Sequence, residues 1–315
     1  MSRNTLTIAT QRRFSAGVVE SLPDTISEEN ALYWLDNLGK LKETLVGVLI
    51  LPEANWLDRL IQAENDAHRA FFGQTFDLAQ FAATLEHFGE DRIGQWAKLG
   101  LEPHFFPVCL FQPDARIRGW KVKPEAWFWQ QVANGAIKRR NASGELETVQ
   151  EVRFDGATLL VDTRCKPLFD DGRQMFQNDE ECLGIIMKTL RVEGRVAHYD
   201  YGPQESRFGA SSREWDEQIR PALEACPEFE GVAFRLERVI EANAVPQIYK
   251  RMPRKKDGQT NTWVWYEEFF GGASYRLDGG YSGSGGLARV HCVDVDDHWS
   301  YGAVRPVGVL DARSV

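Results

Sequence analysis

The chain has 315 residues, with 43% hydrophobic and 26% charged side chains, which suits folded globular material and excludes bulk disorder. Its net charge of −9 excludes a general attraction to phosphate backbones or anionic lipid. The one basic run, Arg-Met-Pro-Arg-Lys-Lys at 251–256, reads as a solvated loop, so no nucleic-acid partner is expected.

The first 26 residues form a polar leader without the apolar core of a secretory signal. No apolar run reaches membrane-spanning length. Ser27 is placed to cap a helix carrying Ala31, Leu32, Leu35 and Leu38 on one face. Pro52 suits the first turn of a second helix, with Trp56, Leu57, Leu60, Ile61, Ala67 and Phe71 at helical spacing and Gly73 as a stop. Leu78, Phe81, Leu85 and Phe88 suggest a third helix; Ile93, Trp96 and Leu99 suggest a fourth. Residues 1–102 are therefore expected to be a helical accessory region.

From Pro103 the character changes to short apolar runs punctuated by glycine, proline and aromatics. Residues 108–111 and 158–161 read as short strands, and Trp127, Phe128 and Trp129 as core packing. A helix is expected through Leu183, Ile186 and Leu190. Ser211 and Glu214 fit a capping box that opens a helix running to Ala225. Residues 236–243 are helical in character, and 141–147 read as a loop.

Catalytic motifs are sparse. There is no P-loop, no GxGxxG after a strand, no HExxH and no GxSxG. The glycine-rich stretch 279–286 runs into strand-like residues 287–293, whereas a phosphate cradle opens a helix. The five cysteines, Cys109, Cys165, Cys182, Cys226 and Cys292, are odd in number and widely spaced. They suggest reduced thiols in a cytoplasmic protein, with neither a disulfide framework nor a zinc site. His291 and Cys292 are adjacent, so a strand points them to opposite faces and does not form a Cys–His nucleophile pair. Asp294 and Asp296 share one face of an extended segment and are weak candidates for a hard cation such as Ca²⁺; the plain reading of Asp294, Asp296, Asp297 and His298 is a solvated acidic loop. No cofactor is expected.

Three signposts appear in order near the C-terminus. The first is Arg235-Leu236-Glu237-Arg238-Val239-Ile240-Glu241, the second Asn261-Thr262-Trp263-Val264-Trp265, and the third Arg276-Leu277-Asp278-Gly279-Gly280 followed by Tyr301-Gly302-Ala303-Val304-Arg305-Pro306. Together they resemble the RLPxxxE-like, NVWEW-like and R-x-x-GG/GVRP-like motifs of formylglycine-generating-enzyme (sulfatase-modifying-factor) domains, a branch of the C-type-lectin-like fold. Glu237 stands where proline is usual, and Val264 where glutamate is usual. Gly119-Trp120, Trp127 to Trp129, Lys166-Pro167 and the stretch 172–177 carry a fainter resemblance to the first half of such domains. The resemblance implies an α+β fold: a C-type-lectin-like ligand-binding domain over 103–315, preceded by the α-helical N-terminal region. It also implies buried scaffold roles for Trp263 and Trp265, and a core anchor in Arg305.

Enzymes of that family oxidise a substrate cysteine with a pair of active-site cysteines. Between Gly286 and Arg305 only Cys292 is present, so an oxidoreductase using Cys292 is the alternative and a non-enzymatic binding protein is expected. The same fold resembles the variable proteins of diversity-generating retroelements, in which adenine-directed mutagenesis changes codons on an exposed face. Lys, Glu, Gln, Met and Trp lie outside the reach of that mutagenesis. From Leu277 onward the chain lacks Lys, Glu, Gln and Met, and Trp299 is its single tryptophan. Tyr281, Ser282, Ser284, His291, Val293, Asp294, Asp296, Asp297, His298, Ser300 and Tyr301 are permitted outcomes and form the expected variable face. Tyr, Ser, Asp and His combine contact area with adaptable hydrogen bonding, as in antibody loops. The expected partner is a protein or other macromolecular surface. A non-diversified structural member of the fold is the remaining alternative.

Overall fold

The structure is a computed structural model that describes residues 55–162, 182–249, 263–280 and 286–310. The expected helix at Ala31 to Leu38, the start at Pro52, Lys166-Pro167, the stretch 172–177, the basic run 251–256, Asn261, Thr262, Tyr281, Ser282 and Ser284 lie outside those residues. The chain divides at 55/56, and the unit that begins at Trp56 contains every element below. Among the described residues no helix is long and apolar enough to cross a membrane.

Helix α1 (Trp56–Phe72) buries Leu57, Glu64, His68 and Phe71, a spacing that places them on one face. Helix α2 (Ala79–Lys98) merges the two helices expected from the sequence, and Gly89, at φ 80°, marks the kink between them. Only glycine takes that conformation at little cost. The expected domain boundary at 102/103 falls inside this unit. Phe81, Leu85 and Trp96 of α2 share one apolar cluster with Phe105, Leu160, Trp215 and Trp265. The Trp96 indole donates to the Glu228 carbonyl at 2.8 Å. Helices α1 and α2 thus belong to the same core as the strands.

The described strands form antiparallel sheets, giving an α+β chain. One sheet has β1 (Leu101–Phe106), β6 (Ala157–Asp162), β12 (Pro306–Leu310) and β7 (Ala233–Leu236) in that order. A second has β10 (Val290–Asp294), β9 (Tyr275–Gly279), β8 (Trp263–Phe270), β3 (Ile137–Arg140) and β4 (Leu146–Thr148). The short β11 (Gly302–Ala303) joins β8 in parallel. A two-stranded ribbon pairs β2 (Cys109–Phe111) with β5 (Val152–Phe154). Residues 141–147, read as a loop, form the turn and part of the β3–β4 hairpin. Trp127, Phe128 and Trp129 lie on α3 (Ala126–Ala133), with Phe128 buried.

Helix α4 (Cys182–Val192) and the helical run 212–224 cover one side of the strands. Ser211 caps that run as expected: its hydroxyl accepts from Glu214 N at 3.1 Å, and Glu214 accepts from Ser211 N at 2.8 Å. The last described helix, α5 (Val239–Ile248), is buried on nearly every side. Arg235 and Glu241 form a two-pronged pair at 2.6 and 2.7 Å across its start.

Arg276 is almost completely buried on β9. It donates to the Tyr266 carbonyl at 2.7 Å and pairs with Asp216 at 2.9 Å and Glu267 at 3.1 Å, beside the irregular register between Trp265 and Phe269. Arg305 is buried, with Nε 3.4 Å from Glu237 and Nη2 3.4 Å from the Asp162 carbonyl. Trp265 is buried and donates to the Ala210 carbonyl at 3.0 Å. Trp263, expected to be buried alongside it, is only half-buried, because its end of β8 borders an open groove.

Candidate functional site

The groove lies at the β10 end of the second sheet and over the segment that follows it. Cross-strand register stacks Trp265, Asp278 and His291 in one row of β8, β9 and β10. Strand alternation puts Trp263, Trp265, Arg276, Asp278, His291 and Val293 on one face. Val264, Tyr266, Leu277, Val290 and Cys292 pack on the other. Close packing at Gly279 lets β9 and the turn before β10 approach. A Cβ there would collide with the Arg289 carbonyl, and would come within 2.6 Å of the Tyr266 hydroxyl.

Both flanks of β10 are fixed. Before it, Asn243 Nδ2 donates to the Leu287 carbonyl at 2.6 Å, and Val290 N donates to Glu125 at 2.8 Å. After it, Val295 N donates to the Ser274 carbonyl at 3.0 Å, and Arg213 N to the Val295 carbonyl at 3.1 Å. His298 Nε2 lies 3.0 Å from the Glu214 carboxylate. The Tyr199 hydroxyl donates to the Ser300 carbonyl at 2.7 Å. A loop tied at so many points is a preorganised surface.

The groove has a volume of about 630 Å³, within the range of ligand-sized clefts. His291, Val293, Asp294, Asp297, His298 and Tyr301, all expected on the variable face, line it. Ser300 is not among its lining residues and contributes its carbonyl to Tyr199. Asp296 is also outside it, paired with the Arg213 guanidinium, which holds its carboxyl below the usual range. Asp294 Oδ1 is taken by Asp296 N at 3.0 Å. Among the described residues no group of three or more His, Cys, Asp or Glu is arranged around a metal position. Asp294 thus accepts a loop hydrogen bond and Asp296 makes an ion pair.

The sequence did not single out Trp263, Tyr275, Asp278 and Arg289 as groove residues. Trp299 is the hub of an aromatic cluster: its ring lies 5.9 Å from Trp263, 5.2 Å from Trp265 and 5.4 Å from Tyr301. Arg289 stands 5.8 Å over the Trp263 ring. Alternation along β9 was the available signal for Asp278, but its meaning depends on register against β8 and β10.

Asp278 is fully buried, and neither carboxylate oxygen receives a hydrogen bond. Burial pushes its pKa up to about 6; the nearby His291 opposes that shift. The His291 Nδ1 is 3.6 Å away, beyond hydrogen-bond length, and Asp278 raises the imidazole above its ordinary value. Burial first, then the Asp278 charge, push the Cys292 thiol up, which disfavours a thiolate nucleophile. Cys109 and Cys226, the other described free thiols, are not groove residues.

No family model, curated protein or solved structure matches the chain.

Proposed function

We propose that this chain is a ligand-binding protein, not an enzyme, whose C-terminal strands and loops form a C-type-lectin-like recognition face. It is read as a variable protein of the diversity-generating-retroelement kind, acting in the cytoplasm on a protein or other macromolecular surface. The observation that carries the reading is the gathering of His291, Val293, Asp294, Asp297, His298 and Tyr301 around one aromatic-walled groove. The Arg235–Glu241 pair, buried Trp265 and the closing strand after Arg305 support the lectin-like assignment.

A rigid scaffold with a groove of Tyr, His and Asp suits recognition. Tyrosine and tryptophan supply contact area with few rotatable bonds, and the polar side chains adapt to a partner. Sequencing codons 281–301 in a growing population that carries the locus tests the proposal. Changes confined to adenine positions of those codons, matched by a nearby imperfect repeat, are expected. Invariant codons with no repeat and no neighbouring reverse-transcriptase gene would overturn diversification.

A further inference from the structure

Building on that binding-face reading, we propose that the groove recognises a cationic side chain, lysine or arginine, presented by an extended peptide segment of a partner protein. The base of the groove supplies the first reason. Asp278 is a fully buried carboxylate with no hydrogen bond to either oxygen, and it lines the groove. A buried anion left in this state costs free energy that an entering cation recovers. His291 offers only partial compensation: it is more than half exposed and stands 3.6 Å from Asp278.

The walls give the second reason. Trp263, Tyr275, Trp299 and Tyr301 line the same groove, and Asp294 and Asp297 add carboxylates. Aromatic faces beside carboxylates favour an ammonium or guanidinium over a neutral group of equal size. Arg289 is a competing positive charge, and its position over Trp263 shows that this wall already accepts a guanidinium at 5.8 Å.

The peptide form of the ligand follows from two further features. Trp299 lines the groove, and its buried indole Nε1 has no acceptor, a donor that a peptide carbonyl would satisfy. Strand β10 ends its sheet; beyond Val290, whose N–H is taken by Glu125, its outer backbone edge has no strand beside it among the described residues. An extended segment laid along such an edge adds main-chain hydrogen bonds while its side chains enter the neighbouring groove. A cation for Asp278, a carbonyl for Trp299 and an extended backbone for β10 together describe a basic peptide.

The test uses the full chain and short acetylated, amidated peptides that share one extended sequence and differ centrally: arginine, lysine, citrulline, norleucine or glutamate. Binding is read by calorimetry at neutral pH. The arginine and lysine peptides are expected to bind about tenfold more tightly than citrulline or norleucine, the scale of one charge-assisted hydrogen bond. Asp278→Asn is expected to erase that preference, and Trp299→Phe to weaken all the peptides about fivefold through one lost neutral hydrogen bond. Circular dichroism of both variants confirms that they fold.

Equal binding of citrulline and arginine, preference for glutamate, or no peptide binding at millimolar concentration would overturn the cationic proposal. Tyr301→Ala separates this failure from failure of the binding face. A phage-displayed peptide library is selected against the chain in parallel. Selected peptides that lack basic residues yet lose binding in Tyr301→Ala would retain the face and reject the cation. Peptides indifferent to both Tyr301→Ala and Trp299→Phe would reject both readings.

Discussion

Two buried carboxylates, Glu64 and Asp278, stand beside histidines in opposite circumstances. Glu64 lies between α1 and β1, with His104 Nδ1 at 2.9 Å, Phe105 N at 2.8 Å, His68 Nε2 at 3.2 Å and the Tyr249 hydroxyl donating to it. Burial alone would raise its pKa; the two histidines outweigh burial and hold it down at about 2. Asp278 has no hydrogen bond, and burial carries it up to about 6. A carboxylate that the fold compensates on all sides holds elements together. One left uncompensated at the floor of a groove stores free energy that a partner can release.

Glu64→Ala is the strongest way to test that distinction. Removing one member of a buried charged network typically costs about 3–5 kcal/mol, and urea denaturation at neutral pH should show a loss on that scale. Because the folded pKa lies below the ordinary 4.5, the Glu64 contribution is complete above that pH and is lost as pH falls toward 2. The variant should lack this acid-limb slope. An unchanged denaturation midpoint would remove the contrast between the two carboxylates.

Asp278→Asn should move stability the other way. Its folded pKa lies above the ordinary 3.8, so its contribution is complete below that value and is lost as pH rises through about 6. His291, also raised, acts in the same direction. The amide removes this penalty, and a gain of about 1 kcal/mol is expected at pH 8, shrinking toward pH 4. Thermal denaturation at the two pH values measures it. A loss like that of Glu64→Ala would make Asp278 a structural residue.

The same contrast explains what the sequence made visible. Ser211 and Glu214 were legible because a capping box is a local pattern, and its geometry needs only a four-residue stretch. The rim residues His291, Val293, Asp294, Asp297, His298 and Tyr301 lie close together in the chain, so their gathering follows from one strand and one loop. Asp278 was hidden inside the R-x-x-GG motif at 276–280. Only the register of three strands places it beneath the groove. Glu64 was hidden for a related reason, since its partners come from β1 and from Tyr249, just past α5. Those distant contacts also cross position 102/103, where the composition changes.

Ser211→Ala gives a smaller and more local test. Loss of the cap should cost about 1 kcal/mol in urea denaturation. Its neighbour Glu214 also holds His298 at 3.0 Å, so the substitution additionally asks whether the cap positions the groove rim. Weaker binding of the arginine peptide than the stability loss explains would show that link. Unchanged binding would confine the cap to folding.

Tyr301→Ala should have the smallest effect on stability and a clear effect on binding. The side chain is 46% exposed and touches its neighbours mainly through the Trp299 ring. Exposed substitutions away from caps and buried networks usually stay within about 0.5 kcal/mol. Yet Tyr301 is one wall of the groove, and truncating an aromatic anchor at a binding surface commonly costs about 1–2 kcal/mol of affinity. The two measurements therefore belong on one variant: a denaturation midpoint matching the parent, beside peptide binding reduced about tenfold. A Tyr301→Ala chain that loses stability but keeps its affinity would place Tyr301 with Glu64, as a residue that serves the fold.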